Sequence, residues 1–137
     1  LSNSLNFPPE AKLWDTKSAK TIIAHGLNSN LKNLVNIPLG PELIELDPSN
    51  PLTLLNALAK KNCNQVLWEC GSDLAKEAIE QGCVQELAVF IAPKLLGGFS
   101  SKTPLSDFGF TSMEQVFMMK NSTMKKFGED WLFNMHL

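Results

Sequence analysis

The sequence VLWECGSDLAKEAIEQGCVQELAVFI occupies residues 66–91 and changes its hydrophobic pattern twice. Residues 66–68 and 87–91 are continuous apolar runs of strand length. Residues 73–81 carry apolar side chains at helical spacing, and Gly82 follows as a stop signal. A strand, an amphipathic helix and a second strand form a βαβ unit. We therefore expect two parallel strands in a sheet that is buried on both faces.

The segments before this unit predict two more short strands and a well-delimited helix. Residues 21–25 and 43–46 are rich in β-forming residues and predict the strands. Asn50 can cap a helix whose first residue is Pro51, and Asn62 can end it in a left-handed conformation. We expect the buried stripe of this helix to consist of Leu52, Leu55, Leu58 and Ala59.

The C-terminal tail predicts an antiparallel hairpin. Residues 116–126 and 131–137 are β-like runs, and Gly128 lies in the turn between them. The sequence as a whole therefore predicts a mixed α/β sheet, with a parallel βαβ centre and a C-terminal antiparallel edge.

Composition and charge exclude several classes of protein. The chain has 137 residues, 44% of them hydrophobic and 19% charged, as expected for one ordinary globular domain. Its formal net charge is −2 without a Lys/Arg stripe, so we expect no nucleic-acid partner. Its apolar runs are shorter than the roughly 20 residues of a membrane span. With three cysteines, two histidines and no CxxC spacing, we expect no metal site, disulfide framework or catalytic triad.

The turn formed by Glu69, Cys70, Gly71 and Ser72 is the strongest candidate for a ligand site. It ends the first strand of the βαβ unit, and ligands of open α/β sheets bind beyond the carboxyl ends of strands. The backbone N–H groups from Gly71 to Leu74 would face a bound anion such as a phosphate, with the Ser72 hydroxyl as a further donor. The alternative is an ordinary strand-to-helix turn, because the sequence matches neither a GxGxxG nor a Walker fingerprint.

Two charged residues near this edge carry further hypotheses. Glu69 can accept hydrogen bonds from a ligand, or it can be a solvated strand end. Lys94, after the second strand, can meet a phosphate, although a solvated lysine is the more ordinary interpretation. Hydride transfer suits such a site, because a cofactor carries that chemistry and the protein needs no nucleophile.

The same residues resemble a known family. Residues 66–75 are similar to the strand, Glu-Gly-Gly turn and helix of the riboflavin-biosynthesis (RibD-like) reductase domain. Residues 91–98, IAPKLLGG, resemble the next strand and loop of that family, and residues 5–14 and 128–130 are also similar. Cys70 stands where most relatives have Gly, and this form resembles the cyanobacterial and plant branch.

The resemblance implies a fold, a cofactor and a set of site residues. The fold is dihydrofolate-reductase-like, with residues 1–137 as one partial reductase domain that lacks its N-terminal part. Glu69 matches a substrate-contacting position, and no metal is implied. A further cofactor contact matches Asn3, although many relatives have Asp-Ser where Ser2-Asn3 stand here. The other positions that match NADPH contacts are Gly71, Ser72, Asp73, Leu74 and Ala75.

The resemblance also implies an activity and partners. The family reduces the ribosyl group of 5-amino-6-(5-phosphoribosylamino)uracil to ribityl, with hydride from NADPH. It implies a homodimer, in the cytoplasm or the plastid stroma, and often a zinc deaminase domain upstream. Because the chain opens with Leu1 rather than Met, we interpret it as part of a longer protein.

Two other functions remain open. A catalytically silent domain of the same fold could serve dimerisation or support a partner domain, and the departures at Cys70 and Ser2-Asn3 give this alternative some weight. A reductase of a different substrate, such as a pteridine, is the other. An NADPH titration and a hydride-transfer assay on the full-length protein would separate a reductase from a silent domain.

Overall fold

The structure is a computed structural model that describes residues 1–34, 40–47, 49–97 and 102–137. These residues form two compact units, Leu1–Val66 and Leu67–Leu137, and each is described by itself. No helix within the described ranges is long and apolar enough to cross a membrane.

The first unit contains a two-stranded parallel sheet. Strand β1, Ile22–His25, pairs with strand β2, Glu42–Glu45, in the register Ile22 to Glu42. Three of the four residues of β1 are buried, whereas β2 is mostly exposed. The opening segment continues this arrangement, since the Ser2 N–H donates to the Ala24 carbonyl at 3.0 Å. Both predicted strands are confirmed, each shifted by one residue or less at its ends.

Helix α1, Pro51–Ala59, has the predicted ends. The Asn50 side chain accepts a hydrogen bond from the Thr53 N–H at 3.0 Å, and Pro51 is the first helical residue. Asn62 has a φ of +63°, which confirms the left-handed end. The predicted buried stripe is wrong at Leu52 and Ala59, which are exposed. Pro51 is itself buried and sets the inward face, which continues through the residues at helical spacing from it, Leu54, Leu55 and Leu58.

The second unit contains helix α2 and a three-stranded antiparallel sheet. Helix α2 spans Ser72–Glu80, and its apolar side buries Ala78 and Ile79 as predicted. Gly82, at a φ of +66°, ends it. The strands are β3, Glu86–Ile91, β4, Lys120–Phe127, and β5, Asp130–His136, in the order β3-β5-β4.

The C-terminal hairpin is confirmed. β4 and β5 pair antiparallel from Phe127 and Asp130 onward, and the two-residue loop begins with Gly128 at a φ of +59°. A positive φ at this first loop position is typical of the tight turns that match the twist of paired strands. The register shifts between Lys120 and Thr123, where Asn121 also has a positive φ, so this end of β4 is bulged.

The prediction of a strand over residues 66–68 is wrong, because these residues are not in a strand. Within the described ranges, no backbone hydrogen bond involves residues 64–70, and a β-strand requires a paired neighbour. β3 therefore lacks its expected parallel partner among the described residues, and its ladder runs antiparallel to β5. The parallel pairing of the described structure lies instead between β1 and β2.

Three short 3₁₀ turns complete the described elements, at Lys12–Trp14, Leu31–Leu34 and Met113–Gln115. The last is closed by a capping box. The Gln115 side-chain oxygen accepts from the Ser112 N–H at 3.1 Å, and the Ser112 side chain is bonded in return by the Gln115 backbone.

Candidate functional site

Helix α2 begins without a cap from its own sequence. Gly71, at the N-cap position, has no side chain to accept from the first-turn amides. The first described helical bond runs from the Ala75 N–H to the Gly71 carbonyl at 3.0 Å, so the three N–H groups before it have no described acceptor. Helix α1 differs, because Asn50 accepts from its first turn. The start of α2 therefore presents unused donors at the positive end of the helix dipole.

The space in front of Gly71 is open. Its φ of −74° and ψ of 170° suit any residue, so the backbone does not require glycine here. A Cβ added to Gly71 would meet no other atom within 4 Å, so packing does not require glycine either. The absence of a side chain leaves room for a ligand to approach the backbone, as phosphates do at helix starts.

A groove of about 810 Å³ lies over this helix start. One wall is the start of α2, and the other is the loop segment that begins at Lys102. Trp68 is half-buried two residues before the first of the lining residues. The groove is lined by Cys70, Gly71, Ser72, Asp73, Leu74, Lys102, Thr103 and Pro104.

The loop is fastened to α2 at successive points. The Ser106 N–H donates to the Ser72 carbonyl at 3.3 Å, and the Ser106 hydroxyl donates to the Asp73 carboxylate. Further along, the Lys76 ammonium lies 5.9 Å from the centre of the Phe108 ring, within the range of a cation–π contact. These contacts hold the two walls of the groove together.

The Cys70 thiol lies at the edge of this groove. Burial raises the pKa of the Cys70 thiol above its ordinary value, because the thiolate loses solvation. A cysteine nucleophile needs the opposite shift. The raised pKa favours the interpretation of Cys70 as a small side chain, and its lack of a reactive role stays a prediction.

The histidine at the end of β1 is buried beside a backbone carbonyl. His25 is 5% exposed, and its Nδ1 lies 3.1 Å from the Gly26 carbonyl oxygen. Among the residues that the structure describes, no three His, Cys, Asp or Glu side chains come together as a possible metal site.

The structure brings together four of the six residues that the sequence assigns to a cofactor. Gly71, Ser72, Asp73 and Leu74 all line the groove. The Ala75 N–H is engaged within the helix instead, and Asn3 lies in the first unit, exposed beside the residue that bonds to β1.

The two charged candidates lie outside the groove lining. Glu69 is exposed and immediately precedes the first lining residue, Cys70. Lys94 is exposed in the loop after β3. Sequence analysis missed the second wall, which is formed by Lys102, Thr103 and Pro104. Its signal was a polar segment containing a lysine and a Thr-Pro pair between two apolar regions.

The chain is similar to known proteins over nearly its whole length. The family described as "RibD C-terminal domain" matches residues 1–133. The chain is 40% identical to the riboflavin biosynthesis protein RibD of Synechocystis sp., covering 100% of this chain and 38% of that protein. It is 32% identical to the chloroplastic riboflavin biosynthesis protein PYRR of Zea mays, covering 98% of this chain and 22% of that protein. The chain thus spans between 22% and 38% of the length of these relatives.

Solved structures share the fold. RibD from Acinetobacter baumannii superposes with a TM-score of 0.76 at 23% identity, over 98% of this chain and 35% of that one. A pyrimidine reductase-like protein from Corynebacterium diphtheriae gives a TM-score of 0.74 at 20% identity, over 98% and 58% of the two chains. These matches confirm the predicted mixed α/β, dihydrofolate-reductase-like fold class.

Proposed function

Because the chain belongs to the RibD C-terminal domain family, we propose that it is the C-terminal part of an NADPH-dependent reductase of riboflavin biosynthesis. The substrate of this proposal is 5-amino-6-(5-phosphoribosylamino)uracil, whose ribosyl group is reduced to ribityl. The observation that carries the proposal is the groove over the uncapped start of α2, where free N–H groups and an open approach fit a phosphate.

The residues of the helix start would hold the cofactor by its phosphates. The N–H groups of Ser72, Asp73 and Leu74 donate, and the Ser72 hydroxyl adds a donor at the same end of the helix dipole. Gly71 keeps the approach to these amides clear. NADPH, when bound, supplies the hydride, and the protein supplies position and electrostatics. Asn3 and Ala75 stay predictions from the resemblance alone.

Glu69 would contact the substrate. Its carboxylate is exposed and immediately precedes the groove, so it is free to accept hydrogen bonds from sugar hydroxyls or from a pyrimidine N–H. Such bonds would orient the sugar towards the cofactor, and orientation accounts for a large part of the rate in reactions between two bound molecules.

The proposal includes partners beyond this chain. The curated relatives are longer than the matched segment, which leaves room for a deaminase domain in the full-length protein. We include a homodimer and a location in the cytoplasm, or in the plastid stroma for a plant protein, as further parts of the proposal.

The test is a reductase assay on the full-length protein that contains this chain. The near-ultraviolet absorbance of NADPH should fall only when the phosphoribosylaminopyrimidine is present. The variant Gly71→Val should raise the KM for NADPH on the order of tenfold, because a branched side chain would enter the open approach, and should lower the free energy of unfolding by about 1 kcal/mol or less, because valine is a poorer N-cap residue than glycine. The matched control is Asn64→Val, at an exposed position outside the groove. A wild-type protein that neither binds nor oxidises NADPH would instead support the silent domain.

A further inference from the structure

The loop wall of the groove offers a charge that the helix wall lacks. Of the described residues that line the groove, Lys102 is the one cation, and it lies on the wall opposite Gly71 and its neighbours. The helix wall contributes a negative charge instead, because Asp73 is the acidic residue of the first turn of α2. A phosphate in the groove would be attracted from the loop side and repelled by the Asp73 carboxylate.

The Asp73 carboxylate is engaged by the loop. It accepts a hydrogen bond from the Ser106 hydroxyl, whose own backbone N–H donates to the Ser72 carbonyl at 3.3 Å. These two bonds join the first turn of α2 to a residue that lies four positions after Lys102. The contacts of Ser106 with Ser72 and Asp73 therefore hold the segment that carries Lys102 against the first turn of α2.

The segment between Lys102 and Ser106 has its own internal restraint. The Thr103 hydroxyl donates to the Leu105 carbonyl at 2.6 Å, and Pro104 between them has a restricted φ. Because the segment is restrained, less rotational entropy is lost when Lys102 binds a ligand.

The other lysine near this face is already occupied. The Lys76 ammonium lies 3.9 Å from the Glu80 carboxylate and also faces the Phe108 ring. Lys102, in contrast, has no ion-pair partner among the described residues. The groove therefore leaves Lys102 as the cation available to a ligand.

On the basis of the proposed function, we propose that Lys102 binds a phosphate of NADPH from the loop side of the groove. The bond between Ser106 and Asp73 is the positioning contact that holds the loop there. Lys102 and the amides of α2 would then bind the cofactor phosphates from opposite walls.

The first test uses steady-state kinetics of the full-length reductase. Lys102→Ala should raise the KM for NADPH on the order of tenfold, as expected for loss of a charged hydrogen bond, with kcat nearly unchanged. Lys102→Arg should restore most of the affinity. Lys120→Ala, at an exposed lysine of the same unit outside the groove, is the matched control and should match the wild type.

Salt dependence separates a charge contact from a structural role. The KM for NADPH of the wild type should rise with ionic strength, and the Lys102→Ala variant should show a flatter dependence. Parallel assays with NADH identify the phosphate. A loss confined to NADPH assigns Lys102 to the 2′-phosphate, whereas a loss with both cofactors assigns it to the pyrophosphate, and either result supports the contact.

The positioning contact has its own variants. Ser106→Ala should raise the KM for NADPH about threefold, the effect of one lost neutral hydrogen bond, and Ser106→Thr should rescue it because a hydroxyl returns. Asp73→Asn should lower the KM for NADPH, since the amide oxygen can still accept from Ser106 while the repelling charge is gone.

The two proposals fail in distinguishable ways. If the wild type oxidises NADPH but Lys102→Ala leaves its KM unchanged, or lowers only kcat, the assignment of Lys102 is overturned and the proposed function stands. If the wild type does not bind NADPH at all, both proposals are overturned together.

Discussion

Cys70 is a residue whose chemistry reports on the groove. It lines the groove beside Gly71, and burial raises the pKa of its thiol, so we expect it to react slowly with alkylating reagents at neutral pH. We predict that saturating NADPH slows alkylation of Cys70 further, because the bound cofactor covers it. Labelling with iodoacetamide followed by peptide mass spectrometry would measure this rate. The exposed Cys63 is the internal control, since its labelling should not depend on the cofactor. Equal labelling of Cys70 with and without NADPH would contradict the prediction.

Gly71 and Gly82 flank the same helix, and we expect Gly82 to matter for stability and Gly71 for cofactor binding. Gly82 has a φ of +66°, a conformation that is strained for any residue with a Cβ, whereas Gly71 has an ordinary φ of −74°. We predict that Gly82→Ala lowers the free energy of unfolding by about 1 kcal/mol and leaves cofactor affinity unchanged. Gly71→Ala should change the free energy of unfolding by less than about 1 kcal/mol, because the poorer N-cap preference of alanine opposes the entropy that the unfolded chain loses, and should weaken NADPH binding. Chemical denaturation and fluorescence titration of both variants would show whether the effects separate in this way.

At the scale of elements, the two helices differ in what accepts a hydrogen bond from the N–H groups of the first turn. In α1 the Asn50 side chain accepts such a bond, whereas in α2 Gly71 has no side chain to do so. Giving α2 a cap of its own should therefore trade function for stability. We predict that Gly71→Asn raises the free energy of unfolding by a few tenths of a kcal/mol, the difference between Asn and Gly at an N-cap. The same variant should lose affinity for NADPH, because its side chain competes for the amides.

The converse variant tests the same comparison on α1. Asn50→Ala should lower the free energy of unfolding by about 1 kcal/mol without changing the KM for NADPH. If Asn50→Ala has no effect on thermal or chemical unfolding, the Asn50 cap contributes nothing measurable to the free energy of unfolding. The missing cap at Gly71 would then no longer indicate that stability is given up for ligand binding.

The helices were predictable from sequence because their signals are local. Asn50, Pro51 and Asn62 define α1 within a few residues of its ends, and Gly82 marks the end of α2. The strand over 66–68 was not predictable in the same way, since an apolar run becomes a strand only through a paired neighbour elsewhere in the chain. The inward face of α1 depends on the burial of Pro51, which the spacing of the leucines does not reveal.

Half of the candidate site was predictable for the same reason. Gly71 and Ser72 lie at a helix start, which the sequence marks directly. The loop wall depends on a tertiary contact, because Ser106 and Asp73 are 33 residues apart in sequence. A surface lysine such as Lys102 has no distinctive pattern of its own, and only the contacts that fold the loop onto α2 bring it to the groove.

At the scale of the whole molecule, we expect two cysteine thiols to make the free energy of unfolding depend on pH in the alkaline range. Burial raises the pKa values of both Cys70 and Cys83. A thiol with a raised folded-state pKa contributes stability that is fully present below its unfolded pKa, about 8.5, and is lost as the pH rises through the folded value. We predict that the free energy of unfolding falls over this alkaline range. Replacing both cysteines by alanine should flatten this part of the pH profile, which urea titrations at successive pH values would measure.

The half-buried Trp68 also gives the protein an optical probe of its own site. The chain has three tryptophans and no tyrosine, so its ultraviolet emission comes from tryptophan alone. Trp68 stands two residues before the groove, and reduced nicotinamide absorbs light at the wavelengths where tryptophan emits. Energy transfer from Trp68 would therefore dim its emission as NADPH binds. The difference in quenching between the wild type and Trp68→Phe would follow occupancy of the groove in real time, without an added dye.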